Sequence, residues 1–571
     1  MIAPTQRYLL TLRGVPNTAD EHRFECITIE PSVNTLPGVY EPCENIPLSS
    51  DSLKAFELAR RWLYTCRANH TKCAFTSESF TTSRILDVSL EDPKLLLRED
   101  LQDAIEYIAL SHCWGKSQPL KTVRDNLDSH RKRIPFETLP ATFKDAVKLT
   151  RRLGLRYLWI DSLCILQDED KEDWERQASQ MEKVYGNAEL VLAATVASSP
   201  EDGFLRNRPS FDVSSVSTLL DDQTIPIESR YRFIYKHDYF SGENGPLDNR
   251  AWAFQERLLA RRYLAYGNSE MRWECCLDSF CECGWVSTEE KRYDRDSNLD
   301  NMLETLASPQ ERKQLWDYIN TEYARRELTV ASDRLVALSA VASRFQSEYG
   351  NTYLAGLWKE NIVYFLAWYV RSRCKPASFY APSWSWFSVD AKDLMFPLSP
   401  RDEIILATVM DASVTISTVN KFGPVSKGHI RLRSSAIEAI LHVEMQKVAG
   451  TDIEGYRIEI PGLPYETGCL LDTPVVAYDL KQGDGTEQIE AHARRISHTE
   501  TSLRREYPSK YSVLVLPILI GDMFIHSLVL GRSSKHPGCR ERLGGSSWRR
   551  AIGIKVMEFL TRYEDTELVI V

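Results

Sequence analysis

Between residues 52 and 197 the hydrophobic pattern switches repeatedly between a 3.6-residue period and short unbroken apolar runs. "SLKAFELARRWLYTCRANH" (52–70) has helical spacing, with Ser52 placed to cap it. "SRILDVS" (83–89) reads as a short strand, and "EYIALSHCWG" (106–115) as a buried strand that ends in a Gly loop. "TFKDAVKLTRRLGL" (142–155) puts Phe143, Ala146, Val147 and Leu153 on one helical face, and Gly154 ends it. "RYLWID" (156–161) is a second strand. "DWERQASQMEKVYGNA" (173–188) predicts one helix with Trp174, Ala178, Met181 and Tyr185 in a stripe, and "ELVLAATVA" (189–197) is a third strand. Strand–helix–strand–helix–strand calls for a parallel sheet with right-handed crossovers.

Residues 1–50 have little periodicity and read as an irregular arm. Residues 198–249 break the α/β rhythm. Their β-like pieces "STLLDD", "TIPIES" and "YRFIYK" predict an insertion with a small antiparallel element. "RAWAFQERLLARR" (250–262) returns as a helix, followed by the strands "RYLAYG" and "EMRWECC". Residues 288–350 are mainly helical. Beyond 400, "ATVMDASVTIST", "HIRLRSSAIEAI", "YSVLVLPILI" and "HSLVLGR" predict strands. The expected division is an arm and helix over 1–100, an α/β core over 101–270, a mainly helical region over 271–400 and a β-rich region over 401–571. "APSWSW" reads as aromatic packing, and "SSKHPGCRERLGGSSWRR" as a solvated basic loop.

A chain of 571 residues exceeds one hydrophobic core, so two or three domains are expected. The net charge of -10 argues against general nucleic-acid binding. The N-terminus lacks the basic-then-apolar order of a signal peptide. The strongest apolar run, "VLVLPILIG" (513–521), is too short to span a bilayer. A soluble, cytoplasmic protein without a membrane span is the expectation. Thirteen scattered cysteines do not form the dense framework of a small secreted domain and are expected to be reduced. Cys66, His70 and Cys73 fall at i, i+4 and i+7, a spacing that suits either three zinc ligands or a core-facing helix stripe. "ECCLDSFCECG" (274–284) adds Cys275, Cys276, Cys281 and Cys283 without a paired CxxC pattern. No metal is therefore assigned, and one would require a fourth ligand to converge on the first three.

Candidate chemistry gathers at two strand ends. Ser111, Cys113, Trp114 and Gly115 follow the apolar part of the first strand; Asp161, Ser162 and Cys164 follow that of the second. Ligands of an open parallel α/β sheet bind outside the carboxyl ends of its strands. Both sets fall on that edge. Asp161 is also a common turn residue. Cys164 as a nucleophile would need His112 as its base, against the plainer reading of a packed thiol. The acids of "DEDKED" (168–173) precede a helix, where negative charge is favourable.

Together, "YIALSHCWG", "LPATFKDAVKLTRRLGLRYLWIDSLCILQDEDKEDWERQASQMEKVYGNAELVLAA" and "RAWAFQERLLARR" resemble the heterokaryon incompatibility (HET) domain of filamentous fungi, over about 106–262. "WLYTCRANHTKC", "YLAGLW" (353–358) and "YAPSWSWFS" (380–388) resemble segments that accompany this domain, while His112 stands where the family often has Tyr. The resemblance implies a fungal effector of self/non-self recognition that ends in growth arrest or cell death, triggered by a protein partner. More remotely, the segment is similar to the TIR domain. That implies a TIR/flavodoxin-like parallel sheet core carrying an insertion, followed by the helical segment and the β-rich C-terminal region. Trp252 and Glu256 match the Trp and the catalytic Glu that TIR enzymes carry four positions apart, although residues 198–249 separate this helix from the third strand. The TIR resemblance implies Glu256 as the catalytic carboxylate and Ser111, Trp114, Gly115, Asp161 and Trp252 as dinucleotide-binding groups. NAD would be the substrate, and no cofactor is called for. The alternative is a non-enzymatic self-association module of the same pathway, in which Glu256 serves as a helix ion pair with Arg250, Arg257 or Arg261.

Overall fold

In the computed structural model, α1 (Leu53–Asn69) begins where the Ser52 side chain accepts a hydrogen bond from the Ala55 N–H. Its apolar stripe, Phe56, Ala59, Trp62, Leu63 and Cys66, is buried. The structure describes residues 46–74, 82–101, 105–115, 120–169, 172–208, 245–268, 270–282, 298–306, 308–370, 381–397, 404–418 and 420–448, together with residues 451–460, 536, 538–539, 560, 563 and 571 and strands at 7–8, 27–28, 216–220, 223–227, 467–471, 479–481, 487–491, 509–520, 524–533, 540–549 and 565–570. It divides into two units, Met1–Thr305 and Leu306–Val571.

The first unit continues with β1 (Arg84–Asp87), β2 (Lys94–Leu97), β3 (Tyr107–Ser111), α2 (Arg124–Lys132), α3 (Ala141–Arg152), β4 (Tyr157–Trp159), α4 (Asp161–Cys164), α5 (Glu172–Ala178), α6 (Met181–Gly186), β5 (Leu190–Ala193), α7 (Ala251–Leu259), β6 (Arg262–Tyr266), β7 (Met271–Cys275), β8 (Ser279–Cys281) and α8 (Leu299–Thr305). One sheet takes eight strands in the order β8-β7-β6-β5-β3-β4-β1-β2. β4, β3, β5 and β6 are mutually parallel; β1, β2, β7 and β8 add antiparallel edges. Every residue of β3 and β5 is buried, as central parallel strands require. Taken in chain order the parallel strands stand 2-1-3-4, so the winding reverses between β3 and β5. Such a switch point opens a crevice at the carboxyl ends of the strands.

Three details differ from the sequence reading. The helix expected over 173–188 is broken into α5 and α6, because the Ser179 hydroxyl turns back to the Arg176 carbonyl (2.7 Å) and Gln180 leaves helical geometry. The helix face carrying Cys66 does not reach His70 and Cys73: α1 ends at Asn69, and Thr71–Cys73 is a separate 3-10 turn. The first unit also runs past 270, because β7 and β8 extend its sheet. In the insertion, Val216–Leu220 pairs antiparallel with Gln223–Ile227; "YRFIYK" lies outside the described residues.

The second unit joins the helices of the middle region to the β-rich segment. α9 (Pro309–Ala324) starts with a capping box from Ser308 and Glu311, and α10 (Val336–Tyr349) ends at left-handed Gly350. Trp384 and Trp386 of "APSWSW" are fully buried. β9 (Ile437–Val448), β10 (Thr451–Glu459), β11 (Thr467–Leu471), β12 (Ser509–Ile520), β13 (Phe524–Ser533) and β14 (Arg540–Arg549) pair in a closed ring, β14-β11-β10-β9-β12-β13-β14. Closure removes open edges from these strands. Ile437, Leu441, Val443, Tyr511, Val515, Val529 and Leu543 belong to one buried cluster. The stretch expected to be a basic loop is in large part β14: Leu543 alternates inward, and buried Arg542 lies 3.6 Å from the Trp368 ring centre. Among the described residues no helix is long and apolar enough to cross a membrane.

Candidate functional site

Ser111 closes β3, at the switch point. Its backbone carbonyl accepts from the Ala194 N–H (3.0 Å) just past the end of β5. Its hydroxyl donates a short hydrogen bond to the Glu256 carboxylate, across 145 residues of chain. Glu256 sits mid-way along α7 and is only 7% exposed. Burial, which penalises the charged form, pushes its carboxyl up to about 7. The Arg250 charge and hydrogen bonds from Ser111 and Tyr185 pull the other way, and nearby Asp161 adds to the rise. The Arg250 guanidinium also donates to the His112 carbonyl, tying the start of α7 to the loop after β3.

Asp161 opens the short α4 after β4. One carboxylate oxygen accepts the Ser162 N–H (2.7 Å), a local turn bond, and the other accepts the Trp114 indole N–H (2.8 Å). That second bond fastens the loop after β3 to the loop after β4. Asp161 is thus a turn residue that also ties the two strand-end loops together. Gly115 completes the first loop with φ of +69°, and a Cβ there would meet Ser199 Cβ at 2.8 Å. Gly115→Ala should therefore cost about 1–3 kcal/mol. A urea titration that shows no loss would mean that this turn relaxes freely.

The structure thus brings Ser111, Trp114, Gly115, Asp161 and Glu256 to one edge of the sheet. Trp252, one helical turn before Glu256, packs edge-on against Trp174 at 6.1 Å. The next two arginines that follow Glu256 in the chain have partners elsewhere. Arg257 forms a bidentate pair with Glu274 (2.7 and 2.8 Å), and Arg261 donates to the Ala74 carbonyl. Cys164 is buried, and burial pushes its thiol up to about 12, which removes the thiolate a nucleophile needs.

The sequence reading gave little weight to Tyr185, Arg250 and His112. Tyr185 stood in an apolar stripe, where nothing signals that its hydroxyl reaches a carboxylate. His112 is 2% exposed, edge-on to Phe143 at 5.0 Å, with Nδ1 3.8 Å from Asp161. Neither ring nitrogen finds a hydrogen-bond partner among the described residues, nor does the buried Ser162 hydroxyl. Unpaired buried groups of this kind are often met by water or ligand.

Burial depresses His112 to about 4. The unfolded chain binds this proton near pH 6.5 and the folded chain does not. Stability is therefore untouched above about pH 6.5 and lost as pH falls toward 4. The wild type should lose about 2 kcal/mol through this group between pH 7.5 and 5.0. His112→Tyr should flatten that limb in urea titrations at the two pH values. An unchanged limb would assign the acid sensitivity to other groups.

No curated protein and no solved structure matches this chain. A family model does match, under the description Heterokaryon incompatibility protein (HET), over residues 107–256. The match opens on the first residue of β3 and closes on Glu256, so it encloses Ser111, Trp114, Gly115, Asp161, Trp252 and Glu256. Residues 107–256 of this chain therefore match the HET domain, whose description names heterokaryon incompatibility.

Proposed function

We propose that the HET domain is a TIR-like module that hydrolyses the nicotinamide–ribose bond of NAD, and that the resulting loss of NAD is the output of a non-self recognition response in the cytoplasm. The observation that carries this reading is the Glu256 carboxylate, buried and hydrogen-bonded to Ser111 at the switch point of the sheet. The strand order 2-1-3-4 and the placing of Trp252 and Glu256 on α7 support it.

In such a reaction the bond from ribose C1′ to the pyridinium nitrogen breaks. Its electron pair goes to the nitrogen, so nicotinamide leaves neutral and needs no general acid. The ribose passes through an oxocarbenium-like state, which a nearby carboxylate stabilises. Water then bonds to C1′ and its proton is released, giving ADP-ribose. Glu256 takes the carboxylate role, with Ser111 and Arg250 favouring its charged form. Trp114 offers a ring face, and Gly115 permits close approach of the backbone.

A second reading rests on the same bond. A carboxylate only 7% exposed also serves as a clamp of α7 onto β3 in a module that signals by self-association. Nicotinamide release by the purified full chain, assayed dilute and under crowding, separates the two. Release in either condition supports the enzyme. No release in conditions where light scattering shows assembly would sink it and leave the self-association module.

A further inference from the structure

We propose that Cys66, His70, Cys73 and Cys275 form a structural zinc site that fastens the N-terminal helix to the edge of the HET-bearing sheet. The side-chain ligand atoms of these four residues all lie within 4.8 Å of one another. Two come from the end of α1 and its following turn, His70 joins them, and the fourth comes from the last residue of β7, about 200 positions later. All lie outside the matched residues 107–256.

The donor chemistry is that of a closed zinc site, three thiolates and one imidazole. Tetrahedral ligands about 2.3 Å from zinc stand roughly 3.7 Å apart, so small side-chain rotations suffice to close the set. His70 Nδ1 already stands 3.4 Å from Cys275 Sγ. Its other nitrogen, Nε2, faces the Asp278 carboxylate at 3.0 Å. A metal-binding imidazole characteristically turns its free nitrogen to a carboxylate, which fixes its tautomer and raises its basicity. The Asp278 N–H donates to Cys275 Sγ (3.3 Å), and Arg262 Nε to Cys66 Sγ (3.2 Å). Three thiolates around a divalent ion leave one net negative charge, and the Arg262 guanidinium sits against it. The three sulfurs are buried. Cys276, the residue after Cys275, turns its thiol to the Arg261 carbonyl (3.8 Å) and stays outside the set.

The spacing of the first three residues kept this site from being assigned, since no CxxC pair announces it. Convergence needs the break after Asn69, which frees His70 and Cys73 from the helix, and the β6–β7 hairpin, which returns Cys275 to them.

The test is zinc content of the full-length chain, purified under reducing conditions without chelator. One zinc per chain is expected, with at least a tenfold loss in Cys275→Ser and in Cys66→Ser and no change in Cys539→Ser. Asp278→Asn should keep the site but weaken zinc affinity roughly 10–100-fold. Should the Cys variants fail to fold, Co(II) exchanged into the wild type should give thiolate charge-transfer and tetrahedral d–d absorption. The site is overturned by zinc-free protein that gives no such Co(II) spectrum, by zinc retained in both Cys variants, or by a disulfide among these residues in mass spectrometry.

Discussion

Glu256→Gln should lower nicotinamide release by at least about 100-fold and, in the same protein, raise stability at alkaline pH. The two effects have one cause. The carboxyl is lifted to about 7 by burial, whereas in the unfolded chain it titrates near 4.5. Between those values the folded state binds the proton and the unfolded state does not. Stability therefore falls as pH rises through the window, by about 2–3 kcal/mol from pH 5 to pH 8. Glutamine keeps the shape and an acceptor for Ser111 but carries no charge to desolvate. The variant should lose most of that alkaline slope in urea titrations at pH 5 and pH 8. A residue kept for stability alone would not hold a charge at such a cost; one kept for chemistry would, since active sites commonly trade stability for function. Should the variant keep full nicotinamide release, Glu256 would have no part in the chemistry. Should it lose stability at pH 8, the carboxylate would be a structural clamp, as in the self-association reading.

What could be read from the sequence follows how local each signal is. β3, β4 and β5 announce themselves as unbroken apolar runs, and Ser52 as a cap, because neighbouring residues decide those features. The site edge was legible for a related reason. In a parallel sheet the first polar residue after each strand falls at the ligand edge, so Ser111 and Asp161 could be named without knowing what they touch. Their partners could not. The Ser111–Glu256 and Arg250–His112 bonds span 145 and 138 residues and depend on where α7 packs. His112 reads as a loop residue until the Phe143 face of α3 closes over it. The break at Ser179 is a side chain competing with a helical pattern that is otherwise sound. The closed ring of β9–β14 lies beyond any periodicity argument, because closure is a matter of which distant strands pair.

The acids before α5 show the same gap between local and distant signals, and they yield the largest stability effect expected in this domain. "DEDKED" reads as helix-dipole charge, and Glu172 and Asp173 do sit in the first turn of α5. Yet Asp173 is buried, and it accepts hydrogen bonds from the Arg84 guanidinium of β1 and from the Leu166 N–H (2.8 Å). Arg84 also donates to the Cys164 carbonyl at 2.7 Å. This one ion pair thus holds both ends of the segment that follows Asp161. Removing Arg84 leaves Asp173 to the exposed Arg176 on its own helix, and takes away the donor of the Cys164 carbonyl. Arg84→Met should therefore cost about 3–5 kcal/mol. The double variant Arg84→Met/Asp173→Leu removes both charges and should recover more than half of that loss, since a buried pair is often near neutral against apolar replacement. Urea titrations of the wild type, both single variants and the double variant give the coupling directly. Additive losses would show that the two side chains act independently, with Arg84 serving the Cys164 carbonyl and Asp173 the Leu166 N–H, and the pair would then contribute nothing of its own to holding the segment behind Asp161.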